Sequence, residues 1–166
     1  MDCEEHPELK PITFSCEETL GISPEQIAEQ LLDISQWSGF QGYGVLPGIK
    51  AAEFEVRTPE IVGSRIRVIY RDGSSHLEEI LKWEPDRWIK LLMHEFSPPL
   101  SRLATGFEET WKFSCIGRDT RVVRSFELHA RSRVTRPLLW LISMLLKRAI
   151  VRHLRQVRDD SYGVLT

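Results

Sequence analysis

Apolar residues in this 166-residue chain recur with two different periods, and the change between them near residue 136 limits the folds open to it. From Ala52 to Phe126, apolar and polar residues alternate in several short runs, which is typical of half-buried β-strands. From Arg136 onward the period becomes helical, and Leu138–Val157 is long enough for about five turns. A long helix that follows a series of strands buries its apolar side on their sheet. The pattern therefore predicts an α+β domain.

Two turn signals set the predicted register of the strands. Asp72-Gly73 and Arg118-Asp119 are expected to form two-residue hairpin turns. These turns predict four cross-strand pairs: Val68 with Leu77, Ile66 with Glu79, Trp111 with Phe126, and Phe113 with Arg124. Because successive side chains point to opposite faces, this register places Leu77, Glu79 and Leu81 on the apolar face of the sheet.

The strand predicted over 87–97 has two apolar faces. The favoured inward face comprises Ile89, Leu91 and Met93. The other comprises Trp88, Leu92 and Phe96. We favour the first because it leaves Lys90 and His94 in water, where a charge is not desolvated.

The residues before the alternating region predict one strand followed by one or two short helices. Residues 12–18 alternate and predict the first strand. Ser23 is a helix cap, Pro24 suits the first helical position, and the helix is expected to end near Ile34. Trp37–Tyr43 is either a turn or a broken second helix. The complete order predicts a sheet of about seven strands.

Composition indicates one domain over 1–166 in a reducing compartment. The three cysteines have no zinc-ligand spacing, and the histidines lack it too, so we expect no metal. No phosphate-binding loop is present, and we expect no cofactor. Residues 1–10 have four acids and no apolar run and are predicted to be a flexible tail. The longest apolar stretch, Pro137–Leu146, falls short of the ~20 residues that span a membrane, so a cytoplasmic location is expected.

Several short motifs mark turns and strand starts along most of the chain. They are Leu46-Pro47-Gly48-Ile49-Lys50, residues 62–68 (VGSRIRV), Asp72-Gly73, Trp83-Glu84-Pro85-Asp86-Arg87, and the region Gly106, Thr110-Trp111 and Thr120-Arg121-Val122. In this order they resemble the START-like superfamily, whose bacterial branch is called SRPBCC or polyketide cyclase/dehydrase and lipid-transport proteins. The resemblance covers nearly the whole chain. Its motifs are structural and assign no catalytic residue.

The resemblance implies a helix-grip fold, in which a curved antiparallel sheet wraps around a long C-terminal helix and encloses an apolar cavity. Members bind lipids, polyketides or other hydrophobic small molecules, and some catalyse cyclisation or dehydration. We therefore expect a carrier or binding protein for a small hydrophobic ligand. The alternative is a cyclase or dehydratase that uses Glu79 or Glu109 as general acid or base.

The predicted ligand-binding residues are those that the registers and the helical period place inward. They are Phe54, Val68, Tyr70, Leu77, Glu79, Leu81, Phe107, Glu109, Trp111, Arg124, Phe126, Leu139, Ile142, Leu146 and Ile150. Three of them are charged, which is costly on an apolar wall unless the charge is paired or hydrated. We favour a structural role for each over a functional one. The predicted register leaves Glu109 and Arg124 ~13 Å apart along the strand, so they are not expected to pair.

The predicted C-terminal helix separates basic from acidic residues. Residues 131–158 contain eight basic residues and no acid, whereas the rest of the chain has 14 basic and 24 acidic residues. His153 falls on the inward face and is expected to be a satisfied buried or edge histidine. The outer face of the helix comprises Trp140, Leu141, Met144, Arg148 and Arg152.

Three explanations for this outer face compete, in order of preference. In the first, loops or the short N-terminal helices cover Trp140 and Met144, and the arginines pair with the acidic body. In the second, the face forms a homodimer contact. In the third, it docks on a membrane. Nucleic-acid binding is not expected, because the chain is net acidic.

Overall fold

The structure, a computed structural model, describes residues 9–163, so the tail predicted over 1–10 lies almost entirely outside the described residues. These described residues form seven strands, two α-helices and two short 3-10 helices. In chain order these are β1 (Ile12–Leu20), α1 (Pro24–Leu32), a 3-10 helix (Ile34–Gly39), β2 (Ile49–Val56), β3 (Arg65–Tyr70), β4 (Ser75–Glu84), β5 (Trp88–His94), a 3-10 turn (Leu100–Arg102), β6 (Ala104–Ile116), β7 (Asp119–Ala130) and α2 (Arg136–Gly163).

The seven strands form one antiparallel sheet with the order β1-β7-β6-β5-β4-β3-β2. Strands that follow each other from β2 to β7 are neighbours, and β1 pairs with the last of them, so α1 and the 3-10 helix connect the two edges. The predicted α+β helix-grip fold is confirmed, with seven strands and a long C-terminal helix. No helix among the described residues is long and apolar enough to cross a membrane.

A side-chain cap fixes where α1 begins, and a similar pair of hydrogen bonds closes the turn before α2. At α1, Ser23 Oγ accepts from the Gln26 amide at 3.2 Å, and Gln26 Oε1 accepts from the Ser23 amide at 2.9 Å, so the predicted cap, Ser23, is part of a capping box. Before α2, the Thr135 amide donates to Ser132 Oγ at 3.2 Å, and the Ser132 amide donates to Thr135 Oγ1 at the same distance. α2 runs 28 residues and is longer than the sequence predicted.

The predicted register of β3 and β4 is wrong by one residue. Val68 pairs with His76 instead of Leu77. The reason is a three-residue loop: the Tyr70 amide donates to Ser74 O at 2.8 Å, and Gly73, the third loop residue, has a φ of +84°. A shift of one residue turns every side chain of the strand to the other face.

The predicted register of β6 and β7 is wrong by two residues. The turn is Gly117-Arg118, since Ile116 pairs with Asp119, and Gly117 has a φ of +62°. A shift of two residues keeps each side chain on its predicted face but changes its partner. Trp111 therefore pairs with Arg124 instead of Phe126.

β4 contains one extra residue relative to β5, and this residue is Leu81. Ile80 pairs with Leu91, whereas Lys82 pairs with Lys90, so the strand bulges between them. The preferred inward face of β5 is confirmed, since Ile89 and Leu91 are buried. Leu81 is exposed because the one-residue shift between β3 and β4 turns it outward together with Glu79, which corrects its predicted inward placement.

α2 covers only the strands near one edge of the sheet. It packs mainly against β1, where buried Leu139, Ile150 and Leu154 meet the side chains of β1 and β7. The inner face of the remaining strands packs against α1 and the 3-10 helix, through residues such as Ile27 and Trp37. A cavity separates these two regions of packing.

Two glycines lie close together in the turn between the 3-10 helix and β2, and their backbone conformations can be tested by substitution. Gly42 and Gly44 both have a positive φ, of +74° and +58°. A Cβ at Gly42 would overlap the backbone oxygen of Leu46, whereas one at Gly44 would meet nothing within 4 Å.

We expect Gly44→Ala to lower the free energy of unfolding by about 1–2 kcal/mol, the ordinary cost of a positive φ. Gly42→Ala adds an overlap with backbone and should cost about 2–4 kcal/mol in total. Urea denaturation of the two variants measures the difference. Equal losses would contradict this account of the turn.

Candidate functional site

A cavity of about 190 Å³ lies between the inner face of the sheet, α2 and the α1–3-10 segment. Its sheet side includes Tyr70, Leu91 and Phe126, and its α2 side includes Leu146 and Ile150. The 3-10 helix and the residue that follows it close the third side with residues including Trp37 and Phe40. The wall is predominantly apolar, as in sites that bind small organic molecules.

The structure places seven of the predicted site residues on the cavity wall: Tyr70, Glu109, Trp111, Arg124, Phe126, Leu146 and Ile150. The others are not part of the wall: Phe54, Val68, Leu77, Glu79, Leu81, Phe107, Leu139 and Ile142. Val68, Phe107 and Leu139 are buried in the surrounding core. Glu79 is on the outer face and lies 3.5 Å from His94, because the β3–β4 register differs from the predicted one.

Glu109 and Arg124 form a buried ion pair on the cavity wall. Arg124 Nε donates to Glu109 Oε1 at 2.6 Å, and Arg124 Nη2 lies 2.5 Å from the same oxygen. Their side chains are 3% and 8% exposed. The expectation that they would not pair is wrong, because the two-residue shift between β6 and β7 moves Arg124 beside Trp111, next but one to Glu109. The guanidinium lies over the Trp111 ring, 4.1 Å from its centroid.

The surroundings of Glu109 act on its proton affinity in opposite directions. Burial raises the pKa of the Glu109 carboxyl, and the nearby carboxylate of Glu78 raises it further. The guanidinium of Arg124 lowers the pKa and so opposes both effects. The nearby Trp111 indole also lowers it, although its Nε1 makes no hydrogen bond to any described residue. The net direction is a raised pKa, so this carboxyl holds a proton more readily than an exposed glutamate does.

Three nitrogen atoms of wall residues are buried without a hydrogen-bond partner among the described residues. They are Arg124 Nη1, Trp111 Nε1 and His153 Nδ1. Burial, followed by the charge of Arg124, lowers the pKa of His153 to about 4, so this imidazole is neutral near pH 7. Its ring contacts Phe40 edge-on, with 5.7 Å between centroids. His153 is partly buried, as expected of a buried or edge histidine, but its Nδ1 is not satisfied within residues 9–163, contrary to the expectation from the sequence.

Sequence reasoning missed a second polar pair, His76 and Glu78. His76 Nε2 lies 3.0 Å from Glu78 Oε1, both side chains are buried, and Glu78 is on the cavity wall. The one-residue register error assigned the opposite face of β4 to the cavity. The glycine at the third loop position, Gly73, was the available signal, because it fits a three-residue loop with a left-handed residue as well as a two-residue turn.

A cluster on the outer face of the sheet brings together groups of the kind that bind metal ions. Single ligand atoms of Glu108, Glu127 and His129 lie within 4.8 Å of one another. Glu108 already pairs with Lys90 at 2.8 Å and with His129 at 3.0 Å, and hydrogen bonds from these two lower its pKa. The cluster is thus an ion-pair network between strands, which the sequence spacing did not predict.

Comparison with known proteins identifies the fold. No protein-family model matches the sequence, and no curated protein matches it significantly. The chain is similar in structure to the Zhui aromatase/cyclase from a Streptomyces species, with a TM-score of 0.71 at 13% identity over 93% of this chain and 96% of that one. It is also similar to a START superfamily protein from Mycobacterium smegmatis, with a TM-score of 0.68 at 13% identity over 89% and 97%.

A plant protein shares the fold as well. A ginseng major latex-like protein from Panax ginseng has a TM-score of 0.59 at 15% identity over 87% of this chain and 98% of its own. The identities are low, so these likenesses concern the fold. The chain has the START-like fold that the sequence motifs predicted.

The buried ion pair predicts an unequal effect of two similar substitutions on β7. Arg124→Met leaves Glu109 buried without its cation and should lower the free energy of unfolding by about 3–5 kcal/mol. Arg121→Met removes an arginine whose exposed partner, Glu17, lies 2.6 Å away, and should cost about 1 kcal/mol or less.

The same comparison has a predicted pH dependence. Without Arg124 the pKa of Glu109 rises further, so a lower pH protonates the carboxyl more readily than in the unmodified protein, and a protonated carboxyl costs less to bury. The loss in Arg124→Met should therefore be smaller near pH 5 than near pH 8. Urea denaturation at both pH values measures this. Equal costs for the two variants, or a larger loss at low pH, would contradict the pairing.

Proposed function

We propose that this protein binds a small apolar molecule that has a hydrogen-bond acceptor, such as a ketone or phenolic oxygen, in the cavity between the sheet and α2. The observation that carries the proposal is the combination of an apolar wall with buried, unpartnered nitrogens on Arg124, Trp111 and His153. Burial of the ligand's apolar surface would supply affinity, at ~25 cal/mol per Å² before ordering costs.

The polar nitrogens favour a neutral acceptor over a charged one. A buried donor left without a partner costs about 1–3 kcal/mol, so a ligand oxygen that accepts from Arg124 Nη1 or Trp111 Nε1 removes that cost. The charge of Arg124 is already balanced by Glu109, and Glu78 is on the same wall. An anionic ligand group would be repelled by both carboxylates.

The size of the cavity favours a compact ligand. Its volume of about 190 Å³ is close to that of cavities that bind benzene, which measure about 150 Å³. One or two fused rings fit that space. A longer lipid or polyketide requires the 3-10 helix and α1 to move away from α2.

We retain a cytoplasmic location as part of the proposal, on the evidence of the cysteine content alone.

A matched pair of probes tests the binding site. We expect 2-acetylnaphthalene to bind about tenfold more tightly than 2-ethylnaphthalene, which has the same shape without the acceptor, because a hydrogen bond to a charged donor contributes about 1.5 kcal/mol. Tryptophan fluorescence reports binding, since Trp111 is on the wall.

Two substitutions on α2 provide the control for this experiment. Leu146→Phe fills the cavity and should abolish binding of both probes, whereas Leu138→Phe on the exposed side of the helix should leave it unchanged. The proposal fails if neither probe binds the unmodified protein, or if Leu146→Phe binds both as well as Leu138→Phe does.

A second candidate function is favoured by the raised pKa of Glu109 beside Arg124. Such a carboxylate can remove a proton from the carbon next to a ketone while the guanidinium donates to the developing enolate oxygen. This step underlies cyclisation and dehydration, the alternative that the sequence resemblance implies.

Deuterium exchange into the methyl group of 2-acetylnaphthalene tests this enzyme alternative. Catalysed exchange that is lost in Glu109→Gln, with binding retained, would support an enzyme. Binding without exchange faster than in buffer would exclude this reaction and leave the binding protein.

A further inference from the structure

The outer side of α2 exposes apolar side chains over its first three turns. Leu138, Trp140 and Leu141 are 50%, 49% and 52% exposed, and Met144 is 42% exposed. The preferred explanation, that loops or the short N-terminal helices cover Trp140 and Met144, is thus wrong for the residues that the structure describes. An exposed, contiguous apolar surface of this kind marks a contact with another molecule.

Most basic residues of the same region have no carboxylate partner among residues 9–163. Within the described part of the chain, Arg158 alone among the eight contacts a carboxylate, with Glu18 at 3.2 Å and Asp159 at 2.9 Å. Arg148 lies 5.9 Å from the ring centroid of Tyr43, and Arg152 is exposed. The ion-pair part of the preferred explanation is therefore wrong as well.

Apolar and basic residues follow one another along a single side of the helix. Leu141, Met144, Arg148, Arg152 and Arg155 are spaced by three or four residues and so share that side. With a rise of about 1.5 Å per residue, the first of these arginines lies about 6 Å beyond Met144 along the axis. The helix therefore presents an apolar start next to a basic second half.

A second copy of the chain is a poor partner for this surface. A twofold contact brings the same surface of both copies together. If the axis passed near Met144, Arg152 of each copy would lie opposite Arg136 of the other. No acidic residue lies within 131–158 to separate these charges, so the contact would be repulsive.

We propose that the outer side of α2 docks on a bilayer that contains anionic phospholipids. Trp140, Leu141 and Met144 enter the boundary between headgroups and acyl chains, a position that suits tryptophan, and Arg148 and Arg152 meet the phosphates. The proposal does not rest on the ligand site. The α2 residues on the cavity wall, such as Leu146, Ile150 and Leu154, are not the residues that dock.

Vesicle co-sedimentation of the full chain tests the docking surface. We expect binding to phosphatidylcholine vesicles with about 30% phosphatidylglycerol, and at least about tenfold weaker binding to vesicles of phosphatidylcholine alone. Arg148→Glu/Arg152→Glu should lose at least about tenfold in binding to the anionic vesicles. The matched control, Lys112→Glu/Arg118→Glu, makes the same change in net charge at exposed positions of β6 and its turn and should bind like the unmodified protein.

The apolar contribution has its own pair of variants. Trp140→Ser/Leu141→Ser should weaken vesicle binding, whereas Val62→Ser/Ile116→Ser, at apolar sites 43% and 52% exposed, should not. The proposal is overturned if the unmodified protein binds both kinds of vesicle equally. It is also overturned if Arg148→Glu/Arg152→Glu binds the anionic vesicles as well as Lys112→Glu/Arg118→Glu does. So would a dimer in sedimentation equilibrium that Trp140→Ser/Leu141→Ser converts to monomer, since a second copy would then cover this face. Probe binding in the cavity is measured separately and stays intact in these variants.

Discussion

A single helix is too narrow to cover a seven-stranded sheet, and the rest of the structure follows from that mismatch. Seven strands at about 4.8 Å spacing extend for roughly 30 Å, whereas a helix with its side chains is about 10 Å wide. α2 packs on β1 and β7, and the apolar face of the other strands needs a second cover. The α1–3-10 segment provides it. The cavity is the space between these two covers, so it results from the architecture and not from a missing side chain.

The position of the cavity explains why charged residues are tolerated deep in the domain. Strands β4, β6 and β7 contribute Glu78, Glu109 and Arg124 to the cavity wall, where the inner face of the sheet lies between the two covers. Glu109 and Arg124 compensate each other, and His76 lies against Glu78. What is left over is a set of unpartnered nitrogens on Arg124, Trp111 and His153, beside the carboxylate of Glu78. This arrangement is suited to a neutral ligand with an oxygen acceptor, and poorly suited to an anion.

Periodicity predicted the strands, the long helix and the inward face of β5, because alternation reports burial directly. It could not predict partners across strands, because these depend on the length and backbone conformation of each turn. The two-residue error between β6 and β7 left Trp111 and Arg124 on the correct face but concealed the ion pair. The one-residue error between β3 and β4 exchanged Glu78 for Glu79. The contributions of Trp37 and Phe40 depend on how a loop closes over the sheet, which no local pattern encodes.

The three-residue loop before β4 has a consequence for how such a cavity can diverge. Substituting Glu78 changes one group on the wall, and substituting His76 changes only the partner of that group. Deleting one residue from the loop would instead rotate the whole strand and exchange the His76/Glu78 pair for Leu77 and Glu79 in a single event. An insertion or deletion at this turn thus changes several inward side chains of β4 at once, whereas a point substitution changes one. Ligand preference among proteins of this architecture should then correlate with the length of this loop.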